Sequence, residues 1–276
     1  MSTEGPTDPH ERAYWLADRG RVTEAVAILQ EQAAAGDWSD REQLAGLLAE
    51  HGRFDEAVVE WRASVAAGHP TPHSAYADLL ETAGRIEEAF ARWDTAIEAG
   101  ERGARQNQAA LLTKVGRVDE AEAAYRTAIA AGERDARSDL ARLLAEQGRL
   151  EEAVTAYRSA TGADGVAPWP LGELLERLGR TEEAISVYQR AVAAGQGHLR
   201  KRLARGLTRQ GRIDDAVTVV RDAIQDGDLY AYKALGYLLA THGREAELLA
   251  EAQRLQDAGE LAKLFFLVTG ENTDGW

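Results

Sequence analysis

The sequence predicts an all-α solenoid, a stack of short helix pairs, and three observations carry that expectation. A Gly-Arg pair recurs at Gly20, Gly52, Gly84, Gly116, Gly148, Gly179, Gly211 and Gly243, spaced by 32 residues apart from one interval of 31. A second glycine follows seven of these by 16 residues, at Gly36, Gly68, Gly100, Gly132, Gly195, Gly227 and Gly259. Before each pair, apolar residues fall at helical spacing, as in Leu140, Leu143, Leu144 and in Leu235, Leu238, Leu239. Self-similarity at a fixed period of this size marks a repeat architecture, and the apolar spacing marks amphipathic helices.

Within a unit the elements follow in order. The first helix stops at the Gly-Arg glycine, which suits the left-handed position that closes a helix. The arginine is expected to set its cation against that helix C-terminus. Acids such as Asp119 and Glu120 then sit at the next N-terminus, where the dipole favours negative charge. The second helix runs on to the second glycine, as from Gly116 to Gly132. Helices of about 12–14 residues are marginal alone, so stability has to come from stacking on neighbours.

The packing positions repeat as well. Four residues before the Gly-Arg glycine stands Leu16, Leu48, Leu80, Leu112, Leu144, Leu175, Leu207 or Leu239. Seven before it the residue is always small, with Gly172 and Gly236 among six alanines. Nine after it come Leu29, Trp61, Trp93, Tyr125, Tyr157, Tyr188, Val220 and Ala252. Small residues let helices approach, and bulky ones fill the space between units. The fifth unit breaks step around Thr161-Gly162-Ala163-Asp164-Gly165, and the last carries Leu248 and Leu255 where small residues are expected. The expected organisation is a disordered head at 1–9, one solenoid of eight units over 10–259, a closing helix at 260–268 and a tail at 269–276.

Composition narrows the function. Of 276 residues 45% are apolar, enough for a packed core. There are 46 acids against 32 bases, a net charge of -14, which argues against nucleic-acid backbones and anionic membranes as partners. The absence of cysteine excludes disulfides, thiol nucleophiles and Cys-ligated zinc. No apolar run reaches the ~20 residues of a membrane span and Met1–His10 is polar, so the expected location is cytoplasmic. Heavy use of Arg, Ala and Gly with four lysines suggests a bacterial source.

Catalytic motifs such as G-x-x-x-x-G-K, G-x-S-x-G and H-E-x-x-H do not occur. Recurrent acids such as Glu151-Glu152 and Glu182-Glu183 read as solvated helix N-termini. His69 and His73 are four apart, but Pro70 and Pro72 intervene, which removes a helical metal pair. The expectation is no catalytic residue, no metal and no cofactor.

The order Leu-Ala-x-x-Leu, Gly-Arg, Glu-Ala, aromatic, Ala, seen at Leu140-Ala141, Leu144, Gly148, Ala153, Tyr157 and Ala160, resembles the tetratricopeptide repeat. The likeness runs from about Glu11 to Gly259. One departure is the unit length, 32 residues with a glycine after the second helix in place of about 34 with a proline. The resemblance implies a right-handed superhelical solenoid of about eight helix-turn-helix repeats with a C-terminal capping helix. It also implies that the first helices of successive units line a ligand groove.

Groove positions inherited in this way include Arg142 in the fifth unit and Trp169 and Glu173 in the sixth. The seventh gives Lys201, Arg202, Arg205 and Arg209, and the eighth Tyr230, Lys233 and Tyr237. From His198 to Arg212 there are six Arg or Lys and no acid. Lys201, Arg205 and Arg209 fall four apart on one helix face, a like-charge stripe that costs about a few tenths of a kcal/mol per pair unless offset. Glu173 and Glu176 of the neighbouring helix, or an acidic ligand, would offset it. The expectation is an anion-accepting pocket for a carboxylate or acidic peptide, with Tyr230, Tyr237 and Trp169 supplying apolar contact. The same stripe also reads as a solvated or salt-bridged face. The family's clamp for a peptide C-terminus is not matched, because Arg205 and Ala234 stand where it uses asparagines.

The functional expectation is a non-catalytic scaffold that binds a protein or peptide, as a monomer or end-to-end homodimer. Its alternatives are a sensor of a short peptide or small metabolite, and an enzyme built around Arg205, Glu173 and Tyr237.

Overall fold

The computed structural model describes residues 6–34, 38–68, 72–160 and 168–269. The break of step at Thr161–Gly165, along with Gly36, His69 and most of the expected head and tail, lies outside them. Among the described residues the regular structure is 17 α-helices and one 3-10 turn, with no strand. The chain divides into two compact units, residues 1–136 and 137–276.

The first unit holds four helix pairs: α1 (Pro9–Ala17) with α2 (Val22–Ala34), α3 (Trp38–Glu50) with α4 (Phe54–Ala66), α5 (His73–Thr82) with α6 (Ile86–Glu98), and α7 (Ala104–Lys114) with α8 (Val118–Ala130). The second holds α9 (Ala136–Glu146), α10 (Leu150–Ala160), α11 (Pro168–Arg177), α12 (Thr181–Ala193), α13 (Arg200–Arg209), α14 (Ile213–Gln225), α15 (Ala231–Thr241), α16 (Glu245–Asp257) and α17 (Leu261–Val268). In both units a first helix packs on its own second helix, and the second helix packs on the next first helix, as in α3–α4–α5 and α13–α14–α15.

The joint inside each pair explains the Gly-Arg signal. At Gly84 φ is 74°, which an L side chain resists. The Gly84 N–H donates to Glu81 O at 3.0 Å and the Arg85 N–H to Leu80 O at 2.8 Å, a Schellman closure. The Arg-to-Leu bond recurs in all eight pairs at 2.8–2.9 Å, from Arg21 to Leu16 through Arg244 to Leu239. Each of these leucines therefore has two jobs, burying its side chain and offering its carbonyl.

The arginine side chain does not follow the expectation. In all eight pairs its guanidinium turns forward to the acid three residues on, from Arg21–Glu24 to Arg244–Glu247, at 2.5–2.7 Å. A guanidinium gains more from a fork-on-carboxylate pair than from the half charge of a helix end, so only its backbone N–H serves the preceding helix. The pairing holds the Glu24, Glu56, Glu88, Glu120, Glu183 and Glu247 carboxyls below their ordinary range. Three of the arginines also reach back one pair, Arg180 to Glu151 at 2.8 Å, Arg212 to Glu182 at 3.5 Å and Arg244 to Asp214 at 2.9 Å.

Side-chain volume then sets how closely the pairs stack. In the first unit Trp93, Tyr76 and Tyr125 are fully buried, and Trp61 stacks on Tyr76 with ring centroids 5.7 Å apart. In the second unit glycines take part. A Cβ on Gly172 would lie 2.3 Å from Tyr188 Cε1, and one on Gly236 would lie 1.9 Å from the Leu267 carbonyl oxygen. The small residue of the last pair thus lets α17 lie against α15, and α17 packs on α16 as well. Among the described residues no helix is long and apolar enough to cross a membrane, and no group of three or more His, Asp or Glu is placed to hold a metal.

Candidate functional site

The charged stripe is built by α13. Its buried side carries Leu203, Ala204, Gly206 and Leu207, which fixes the helix against α12 and α14. Lys201, Arg205 and Arg209 then share the opposite line, about 6 Å apart per step at 1.5 Å rise. Against them stands α15, and the two helices enclose a cavity of about 380 Å³. From α13 it is lined by Lys201, Ala204, Arg205, Thr208 and Arg209, and from the α15 side by Ala234, Tyr237, Leu238, Thr241 and His242.

The polar atoms of this cavity are unequally satisfied. The Thr208 hydroxyl donates to Ala204 O at 2.8 Å and the Thr241 hydroxyl to Tyr237 O at 2.7 Å, so both are spent on their own helices. His242 Nδ1 lies 3.0 Å from Leu238 O, which assigns the proton to that nitrogen. Arg209 Nη1 lies 3.6 Å from Glu176 Oε2 of α11, and Lys201 is engaged within the fold. Arg205 differs: its Nε is buried and has no hydrogen-bond partner. The Arg205 side chain lines the cavity beside Ala204, Ala234 and Leu238, where a guanidinium with a donor still unmet can bind a carboxylate.

Behind the cavity the sixth pair supplies an acid. Glu176 keeps only 13% of its side chain exposed, and its Oε1 is buried without a partner. Burial pushes the Tyr188 phenol up to about 12, the Glu176 charge adds to the rise, and Arg202 opposes it. Arg202 itself stacks over Trp169, 4.9 Å from the ring centroid, which joins α11 to α13.

The remaining expected residues fall elsewhere. Tyr230 sits at the α15 N-cap, edge-on to Phe266 of α17, and lines a neighbouring cavity of about 480 Å³ with Gly197, His198, Arg200, Lys201, Ala223, Asp226 and Asp228. Arg200 is paired there with Asp226 at 2.6 Å. Arg142 and Glu173 line a third cavity, of about 460 Å³, with Glu146, Tyr157, Pro170 and Arg177. Arg142 is bridged to Asp139 at 3.0 Å and to Glu146 at 3.7 Å. Lys233 lines none of the three. The fold thus gathers Lys201, Arg205, Arg209 and Tyr237, sets Arg202 with Trp169, and separates Glu173 from Arg205 and Tyr237. His242 was missed by the sequence argument. It stands one residue before its Gly-Arg, as does His51, whose Nδ1 likewise lies 2.9 Å from Leu47 O.

Comparison with known proteins fits this frame. Tetratricopeptide-repeat family models match residues 107–168, 171–200 and 202–222. No curated protein matches the chain. Similar solved structures include a tetratricopeptide repeat protein from Parabacteroides merdae, 15% identical, with 84% of this chain and 97% of that one covered at a TM-score of 0.47. Another is YrrB, a TPR protein with an unusual peptide-binding site, 22% identical over 63% of this chain and 96% of its own, TM-score 0.44. A third is Naa15/Naa10 bound to HypK-THB, 15% identical over 94% of this chain and 44% of that one, TM-score 0.48.

Proposed function

The chain belongs to the tetratricopeptide-repeat family, and from that premise we propose that it is a non-catalytic scaffold that holds an acidic or carboxylate-bearing segment of a partner protein between α13 and α15. The observation that supports this reading is Arg205, a cation with an unmet N–H lining a cavity, on a five-cation helix of a chain with net charge -14. Lys201 and Arg209 flank it, Tyr237 and Leu238 offer apolar contact, and a peptide segment with an acidic side chain matches both features. Affinity capture from the native host, with wild type beside an Arg205→Glu, Arg209→Glu double variant of unchanged helicity, tests the reading. A partner retained by wild type and lost by the variant is the expected result. A partner retained equally by both removes this cavity from the account.

A second reading rests on the cavity size. About 380 Å³ lies within the ~300–1,000 Å³ usual for small-ligand sites, which favours a sensor of a short peptide or small metabolite. A thermal shift produced by a small carboxylate, with no protein retained in capture, would select it.

A further inference from the structure

The flanking cations of the stripe are not equivalent to Arg205, and the difference bears on how many charges the cavity reads. Arg209, mostly exposed, has Glu176 Oε2 at 3.6 Å from its Nη1, and Lys201 is already engaged. Arg205 has the buried Nε with no partner. Spacing matters next. In an extended peptide, side chains on one face recur about every 6.6 Å, close to the ~6 Å step between Arg205 and Arg209. A ligand with acids at alternate positions would therefore be in register with both arginines, if both were available.

Resting on the peptide-groove reading above, we propose that the α13–α15 cavity reads a single carboxylate of an extended peptide, at Arg205. Glu176 is the specificity-determining residue, because its charge, 3.6 Å from the Arg209 guanidinium, offsets much of the attraction a second acidic side chain would meet there. The α13 helix, ten residues and about 15 Å long, spans four to five residues of such a segment. The partner chemistry is one Asp or Glu flanked by apolar residues, which meet Ala204, Ala234, Leu238 and the Tyr237 ring. Thr208 and Thr241 add no competing donors, since their hydroxyls are bonded within their own helices. A polyacidic segment gains little over a monoacidic one in this arrangement.

The test uses the full chain and three amidated pentapeptide libraries carrying a neutral fluorophore, read by fluorescence anisotropy. Their frames are X-X-Glu-X-X, X-X-Gln-X-X and X-Glu-X-Glu-X, with X drawn from uncharged residues. Wild type is expected to bind the mono-Glu library about tenfold or more tighter than the Gln library, as a charge-assisted pair warrants. The di-Glu library is expected within about twofold of the mono-Glu one. Arg205→Gln should abolish the Glu preference and Arg205→Lys should restore part of it, while circular dichroism stays unchanged. Glu176→Gln should make the di-Glu library about two- to fivefold tighter than the mono-Glu one, the scale of an exposed ion pair. A di-Glu preference already present in wild type and unmoved by Glu176→Gln overturns the single-carboxylate proposal and leaves the peptide groove standing. An absence of binding by all three libraries overturns both.

Discussion

The two units build the same repeat from different side chains. Among the described glycines of residues 1–136, none has a neighbour within 4 Å of where a Cβ would stand. In residues 137–276 four do: Gly172 under Tyr188, Gly206 at 3.1 Å from Ile185 and Gly236 under the Leu267 carbonyl in α-helices, and Gly197 beside the flexible Arg200 side chain in the 3-10 turn. The first unit fills its interior with Trp61, Tyr76, Trp93 and Tyr125. Individual first helices differ in charge too, without following the division into units. Asp78 and Glu81 mark α5, and burial followed by the Glu81 charge raises the Asp78 carboxyl. Burial alone raises Glu42 on α3, and burial with Glu50 raises the Tyr14 phenol on α1. In contrast α13 has five cations and no acid. The frame of Leu, Gly and Arg specifies the stack, and the positions off that frame are left to specify what is bound.

The largest effect should come from breaking the aromatic filling of the first unit. Trp93→Ala removes a fully buried indole and is expected to cost about 3–5 kcal/mol in urea unfolding. A cost under about 1 kcal/mol would mean that the interior collapses around the loss and that bulk there is dispensable. Gly236→Ala probes the close approach of the second unit. Its Cβ would meet backbone rather than a flexible side chain, so α17 must shift, at about 1–3 kcal/mol. Hydrogen exchange of 261–268 should then rise, and unchanged protection would contradict the contact.

The charge contrast can be sharpened by pH. A carboxyl raised in the folded state contributes stability below its unfolded value, about 3.9 for aspartate, and loses it as pH climbs through the folded value. Asp78→Asn should therefore gain more over wild type at pH 7 than at about pH 3.5 in urea unfolding. Equal gains at both values would place the Asp78 charge in ordinary solvent. The smallest effect is expected from Arg180→Gln, which loses exposed pairs to Glu183 and Glu151 and should lower Tm slightly, less so at high salt.

Much of the stack was legible because its physics is local. A Schellman closure needs glycine at one place and a carbonyl at another, so Gly84, Leu80 and their equivalents recur visibly in the sequence. The stripe on α13 was legible for the same reason, as spacing along one helix. The rest depends on which helix meets which. Sequence spacing offers Glu173 and Glu176 alike to offset the stripe, and does not reveal that Glu176 approaches Arg209 while Glu173 faces another cavity, or that Arg202 lies over Trp169. The fate of the Gly-Arg guanidinium was misjudged because dipole and carboxylate compete for one cation, and only side-chain geometry shows the winner.

The account rests on Arg205 as the point where a ligand carboxylate enters. The most direct measurement is an NMR titration of the full chain with the X-X-Glu-X-X library, following the arginine Nε–H signals and the backbone amides. The account predicts that the Arg205 Nε–H moves downfield as it gains its first acceptor. Amides of α13 and α15 should shift with it, and those of α3 and α5 should stay in place. Shifts centred on α3 and α5, or an Arg205 signal unmoved while other residues respond, would contradict it.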